Sequence, residues 1–220
     1  MSLKIAEMLD EYLALKRVED NKKRKSGVIS PSSLGQCYRR QYWTRSGEPE
    51  TNPIDAQTLR VFEAGKKVHD VIQAMFPPEC CEVEVNIGDD VYGHADIVLE
   101  DEVLDIKSVG VFQFKKFTKM TQEQFEEEKL DYAIQVCTYA YALGKKKARM
   151  VLVCKDTWEI HEGFEFDLKY WESRVKSELD VLRGYWDIDE LPDAKPRLYN
   201  GKECEYCSFH NKCKDVEGGF

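Results

Sequence analysis

Two aspartates and a lysine stand where an apolar strand pattern asks for core residues. Gly93-His94-Ala95-Asp96-Ile97-Val98-Leu99 and Glu102-Val103-Leu104-Asp105-Ile106-Lys107 read as two strands joined by Glu100-Asp101. With Glu100 and Asp101 as a two-residue turn, Asp96 falls directly opposite Asp105, and the period of two along a strand puts Lys107 on the face of Asp105. Directly opposed residues hold their Cβ atoms about 4.5–5.5 Å apart, where like charges repel. Two facing carboxylates beside an ammonium therefore ask for a cation between them, and the chemistry such a group supports is metal-assisted. The plainer alternative is a half-exposed salt bridge on a solvated sheet face, since Asp-x-Lys alone is a weak motif.

Three further constellations could serve such a centre. Gly65 and His69 are i, i+4 neighbours on one helical face. The glycine admits close approach of another backbone, and neutral imidazole is a common metal ligand; a partly buried histidine with a backbone partner is the competing reading. Gln135 and Tyr139 share the same spacing and offer an amide and a phenol that could orient a phosphate or the lysine. By spacing alone they are equally a polar stripe on an amphipathic helix.

The cysteines form the third set. Eight are many for a reducing compartment, where cysteines bind metal or do chemistry more often than they pair. Cys137 and Cys154 sit in apolar segments and read as core, while Cys80 and Cys81 open a strand and receive no role. Cys204, Cys207 and Cys213 crowd a Gly- and Lys-containing tail, where packing does not explain them. A fourth ligand must come from afar: Cys37 is the best candidate, and His210 the alternative. Four such ligands suit structural zinc or an iron–sulfur cluster.

These residues need elements to carry them. The chain has 220 residues, 42% hydrophobic and 33% charged, with a net charge of -9, which fits one soluble domain and argues against a uniformly basic nucleic-acid coat. No apolar run of 18 residues occurs, so the expectation is a cytoplasmic protein with no membrane partner.

Apolar spacing at Leu3, Ile5, Met8, Leu9, Tyr12, Leu13 and Leu15 predicts an amphipathic helix over 3–17, followed by a polar connector with Lys22, Lys23, Arg24 and Lys25. Ser30-Pro31-Ser32-Ser33 signals a helix start leading from Leu34 to Trp43, and 54–76 reads as a long helix ended by Pro77-Pro78. Strands follow at 80–88, 91–99 and 102–109, then a helix at 121–143, strands at 148–155 and 158–166, and a helix at 167–186. This order predicts a mixed α/β sheet with 121–143 as the crossover. The domain divides into a helical N-terminal region (1–78), a core (79–190) and an irregular tail (191–220) joined through Cys37. Arg39 and Arg40 interleave with Tyr38, Tyr42 and Trp43, a pattern that suits base stacking and phosphate contact as well as it suits core aromatics with surface arginines. Lys115, Lys116 and Lys119 are weaker phosphate candidates.

Taken together the segments resemble the RecB-type branch of the PD-(D/E)XK nucleases, and within it the iron–sulfur exonucleases associated with CRISPR adaptation. Gly65-x-x-x-His69 resembles that branch's first motif, Gly93-His94-Ala95-Asp96 its G-x-x-D strand, Asp105-Ile106-Lys107 its (D/E)-x-K strand, and Gln135-x-x-x-Tyr139 its Q-x-x-x-Y helix. Cys37, Cys204, Cys207 and Cys213 match the cluster ligands in order. The resemblance covers Cys37 to Cys213 and implies a restriction-endonuclease-like mixed sheet flanked by helices. It implies Mg²⁺ or Mn²⁺ held by His69, Asp96, Asp105 and the Ile106 carbonyl, with Lys107, Gln135 and Tyr139 as catalytic groups. It also implies a structural [4Fe-4S] cluster and DNA cut from an end, with single strands preferred. Arg39, Arg40 and Tyr42 would then contact DNA. Proteins of CRISPR adaptation or recombination are the implied partners. A non-catalytic or zinc-stabilised DNA-binding module of the same fold is the competing expectation.

Overall fold

The computed structural model describes residues 4–23 and 25–216; Leu3 of the expected first helix and Arg24 of the polar run lie outside them. Three helices come first: α1 (Ile5–Lys23), α2 (Tyr38–Ser46) and α3 (Ala56–Gln73). The strands are β1 (Cys81–Ile87), β2 (Val91–Val98), β3 (Glu102–Val109), β4 (Lys147–Cys154) and β5 (Ile160–Asp167). They lie side by side in sequence order, antiparallel throughout except that β3 and β4 run parallel. A parallel pair needs a crossover. Here it is made by α4 (Val111–Phe117), α5 (Gln122–Glu128) and α6 (Leu130–Ala142), and α7 (Leu168–Asp187) follows β5. The mixed sheet flanked by helices is as the sequence predicts.

The two faces carry separate cores. Ile134, Val136, Cys137 and Ala140 of α6, with Val175, Leu179 and Leu182 of α7, belong to one core with Val103, Ala148, Met150, Leu152 and Cys154. On the other side Val68 and Ile72 of α3 cluster with Ile97, Ile106 and Val153. β3 is thus the middle strand, covered on both faces.

Several boundaries differ from the sequence reading. α1 continues through Lys22 and Lys23, and of its apolar residues only Leu13 is buried. Ion pairs rather than an apolar seam join it to α3: Lys16–Glu63 at 2.7 Å, Arg60–Asp10 at 2.6 Å and Lys66–Asp20 at 3.1 Å. Pro31–Ser33 forms one 3-10 turn, so α2 begins at Tyr38 with Cys37 at its N-cap. The expected helix 121–143 is broken at Lys129 (φ -125°, ψ 45°). The short helix α4 was not predicted, and the tail contains a 3-10 segment (Tyr199–Tyr206) and a one-turn helix, α8 (His210–Lys214). Between β4 and β5 the register shifts, and Gly163 sits there at φ +76°, with a Cβ direction that points into the Met150 carbonyl. That turn of the sheet admits no side chain.

The β1–β2 turn is tied to α7 by a two-pronged ion pair, Arg183 Nε to Asp90 Oδ2 at 2.7 Å and Arg183 Nη2 to Asp90 Oδ1 at 2.8 Å. The Arg183 hydrogen bonds hold the Asp90 pKa below the usual carboxylate range. A depressed folded-state pKa stabilises above the unfolded value, about 3.9, and the gain is lost as pH falls through the lower folded value. Asp90→Asn should therefore lower stability at pH 7 by about 0.5–1 kcal/mol, a partly exposed pair being screened. The difference from the wild type should shrink in urea titrations repeated at pH 3.

Candidate active site

The expected two-residue turn is present: Leu99 N–H donates to the Glu102 carbonyl at 2.8 Å, and the β2–β3 ladder runs Val98↔Val103 and Ile97↔Leu104. The ladder stops there. Asp96 and Asp105 continue the same register without pairing, because Asp96 Oδ2 accepts the Ile106 N–H at 2.7 Å. A side chain thus stands in for a neighbouring strand. The local irregularity also shows in the packing: Ala95 belongs to the α6-side core and Ile97 to the α3-side core, although a regular strand would put both on one face. The sequence expectation of directly opposed aspartates is corrected accordingly. The strands part at Asp96, which relieves the repulsion that pairing would impose.

The parting gathers polar groups from four elements. Lys107 Nζ lies 2.7 Å from Asp105 Oδ2 and donates to Gln135 Oε1 at 3.0 Å. Gln135 Nε2 in turn donates to the Tyr139 hydroxyl at 3.2 Å, so the i, i+4 pair on α6 acts as one polar ridge. Tyr132, one turn earlier, turns its ring toward Lys107, with Nζ 5.2 Å from the centroid. From α3, His69 Nδ1 stands 3.5 Å from Asp96 Oδ2. α3 reaches this close because Gly65 faces Ser108, whose Oγ lies only 2.9 Å from where a Cβ would be.

Asp105 is fully buried, and its Oδ1 meets no hydrogen-bond donor among the described residues. Burial raises its pKa to about 6, against the lowering pull of Lys107. Burial also works against the Lys107 charge, but the Asp105 and Asp96 carboxylates outweigh it and raise the lysine's pKa. His69 follows the same logic: burial opposes its charge, and the hydrogen bond and charge of Asp96 raise its pKa overall. Carboxylate and carbonyl oxygens suit Mg²⁺ or Mn²⁺, an added imidazole is compatible with Mn²⁺, and an orphaned buried carboxylate oxygen is what a cation would satisfy. Among the described residues no three His, Cys, Asp or Glu side chains already converge so as to hold a metal ion. At Asp105, Lys107 sits on Oδ2, which leaves Oδ1 as the oxygen open to a cation.

The cysteines fall into the groups expected. Cys137 and Cys154 are buried in the core. Cys37, Cys204, Cys207 and Cys213 line one pocket, together with His210, Arg39, Trp43 and Glu203. Burial, and then the neighbouring thiols of Cys37, Cys207 and Cys213, push the Cys204 pKa up to about 11. Thiols that raise one another's pKa in this way are eased by a bound cation, and the four-sulfur donor set fits zinc or an iron–sulfur cluster.

Arg39 and Arg40 belong to the clasp around this pocket, whereas Tyr42, half-buried, lies outside it with its ring against Trp186. Arg39 is 2% exposed, donates from Nε to the Pro192 carbonyl at 2.6 Å and lies over the Trp43 ring. Its expected DNA contact is corrected on that ground: the guanidinium is used inside. Arg40 stands 3.9 Å from Glu203, and the Tyr42 hydroxyl donates to Asp189 at 2.7 Å. Sequence reasoning also missed Glu203, which is fully buried and accepts from Cys37 N–H and from Arg197 N–H, each at 2.8 Å. Nothing in its spacing marks it. Tyr132 was findable, since it continues the Gln135–Tyr139 stripe one turn back.

No family model matches the chain, and no curated protein does. Solved structures do. The crystal structure of SSO0001 aligns with a TM-score of 0.61 at 18% identity, covering 96% of each chain. An alkaline exonuclease from Laribacter hongkongensis, LHK-Exo, aligns with a TM-score of 0.51 at 13% identity, over 74% of this chain and 89% of that one. The chain shares its fold with these structures, an alkaline exonuclease among them. At these identities the likeness speaks for the architecture, and the chemistry has to be argued from the side chains.

Glu203 gives the clasp a direct test. Glu203→Ala strands one buried and one half-buried N–H donor and should destabilise the protein by about 1–3 kcal/mol. Limited proteolysis should then cut first within 191–216, where the wild type resists.

Proposed function

We propose that this chain is a metal-dependent deoxyribonuclease that removes nucleotides from DNA ends and prefers single strands. The observation that carries the reading is Lys107, whose ammonium is fixed between Asp105 and Gln135 at the parting of β2 and β3. The fold shared with an alkaline exonuclease supports it. His69, Asp96, Asp105 and the Ile106 carbonyl are the groups that would hold Mg²⁺ or Mn²⁺. That ion would polarise a phosphoryl oxygen and lower the pKa of a bound water. The chain's own groups do the remainder. Lys107 orients the attacking water and offsets negative charge growing at phosphorus. Gln135 fixes Lys107, and Tyr139 fixes Gln135 through the Nε2 hydrogen bond. Tyr132 walls the ammonium from solvent on one side.

We assign Cys37, Cys204, Cys207 and Cys213 to a structural [4Fe-4S] cluster, with zinc as the other metal the same thiols would accept. The resemblance to CRISPR-associated exonucleases supports iron, and implies partners in CRISPR adaptation or recombination. No described helix is long and apolar enough to cross a membrane.

End-labelled single- and double-stranded DNA, incubated with Mn²⁺ or Mg²⁺, should shorten, single strands faster, and EDTA should stop the reaction. Lys107→Ala should slow it by about 10²-fold or more, the loss typical of one charge-stabilising group. Wild-type protein that leaves both substrates intact with both metals overturns the reading. Protein purified without oxygen should be brown and contain iron and sulfide. Cys37→Ser should lose that metal, whereas Cys137→Ser should keep it; zinc without iron would overturn the cluster assignment.

A further inference from the structure

Two exposed aromatic side chains stand at the ends of the two parallel strands, beyond the candidate site. Phe112 on α4 is 88% exposed, the most exposed of the large hydrophobics described. Trp158, in the turn between β4 and β5, is 48% exposed. Water does not favour either placement, and neither ring serves the core.

The fold holds both rings in place. α4 is anchored by buried Phe114 and Phe117, which leaves Phe112 on its outer face. Trp158 has φ +63°, a left-handed conformation that costs a bulky residue on the order of 1–3 kcal/mol. The turn imposes that conformation, with Trp158 N–H donating to the Cys154 carbonyl at 2.7 Å and Cys154 N–H to the Glu159 carbonyl at 2.9 Å. The two elements are bonded to each other: Val111 N–H donates to Asp156 Oδ2 at 2.7 Å, and Lys155 N–H to the Val109 carbonyl at 3.0 Å.

Their position relates them to the chemistry. In the parallel register Lys107 pairs with Leu152, and two residues on Val109 pairs with Cys154, where both elements depart. The aromatics therefore lie beyond the C-terminal ends of β3 and β4, the end at which α/β sheets bind ligands. Two residues of strand separate that level from Lys107, about 7 Å. Around Phe112 the outer face of α4 and its extension carry Lys115, Lys116 and Lys119. Lys116 is paired with Glu128, while Lys115 and Lys119 make no ion pair among the described residues. In a chain of net charge -9 this is a basic strip with aromatics at its end.

We propose that Phe112 and Trp158 form a base-stacking platform that holds single-stranded DNA as it enters the site, with Lys115 and Lys119 on its phosphates. Rings stack on any base, and lysines take the backbone, so the platform grips a strand without reading its sequence. Duplex DNA keeps its bases stacked inside and offers the rings nothing until an end frays. The platform is thus the source of the single-strand preference, and it rests on the nuclease reading above.

The test is equilibrium binding of fluorescein-labelled oligo(dT) in EDTA, followed by anisotropy, so that cleavage plays no part. Phe112→Ala should weaken binding about 5- to 150-fold, the effect of losing one stacked base. Phe112→Trp should restore it and Phe112→Leu should not, which separates stacking from greasiness. Trp158→Gly accepts the positive φ, so it should raise thermal stability while weakening binding, an opposition that a purely structural tryptophan would not produce. Lys115→Gln with Lys119→Gln should flatten the slope of log affinity against log salt by about 0.7 for each phosphate left without its lysine. Wild-type affinity in both Phe112→Ala and Trp158→Gly overturns the platform and leaves the nuclease reading standing, since that rests on cleavage and on Lys107. Ring-dependent binding by a protein that never cleaves DNA would do the reverse.

Discussion

Taking the Asp105 carboxylate and the Lys107 ammonium out of water costs several kcal/mol per ion, and their mutual attraction repays this only when further polar groups complete the arrangement. Both sit on β3, the middle strand, with a helical layer on either face. The architecture around β3 answers that constraint. α6 lays Gln135 against the ammonium, β2 gives up its ladder so that Asp96 can turn inward, and α3 brings His69 to Asp96. One oxygen of Asp105 is still left without a donor. A strand of Val, Ile and Leu in those positions would be simpler to fold, so stability alone does not account for the polar knot.

Much of this was legible in the chain. Alternation and the Glu100-Asp101 turn set the β2–β3 register correctly at Ile97↔Leu104. The i, i+4 spacing put Gln135 and Tyr139 on one helical face, where the structure joins them by a hydrogen bond. The parting at Asp96 was not legible, because a pattern of periods assumes that each backbone N–H finds another backbone, whereas Ile106 finds a side chain. The break at Lys129 escaped for a related reason: apolar spacing continues across it while the dihedrals do not. Arg39 looked like a surface cation among aromatics. Its burial is decided by the Pro192 carbonyl, which no local pattern could announce. α1 carries a helical pattern but leaves its apolar residues outward and meets α3 through ion pairs, a reminder that amphipathic spacing forecasts a helix better than it forecasts which face is covered.

The tail reaches the candidate site through aromatic rings, whereas its cysteines join it to α2. Tyr132 faces Lys107 on one side and Lys129 on the other, with Nζ of Lys129 4.8 Å from its centroid. The same ammonium lies 5.5 Å from the Phe117 ring and 5.0 Å from that of Tyr199, in the tail. Burial lowers the Lys129 pKa despite Asp131 beside it. A cation held by three rings thus links α4, α6 and the segment that leads to Cys204.

The hydrogen bond from Cys37 N–H to Glu203 spans 166 residues of chain. During synthesis the first turn of α2 exists long before its acceptor does. Bringing the two together closes a loop of 166 residues, a step whose entropy is offset as the sheet between them forms. By that cost the N-terminal end of α2 docks on the tail after the sheet rather than before it. The four-cysteine pocket, lined from both ends of that loop, is therefore among the parts of the fold that close late.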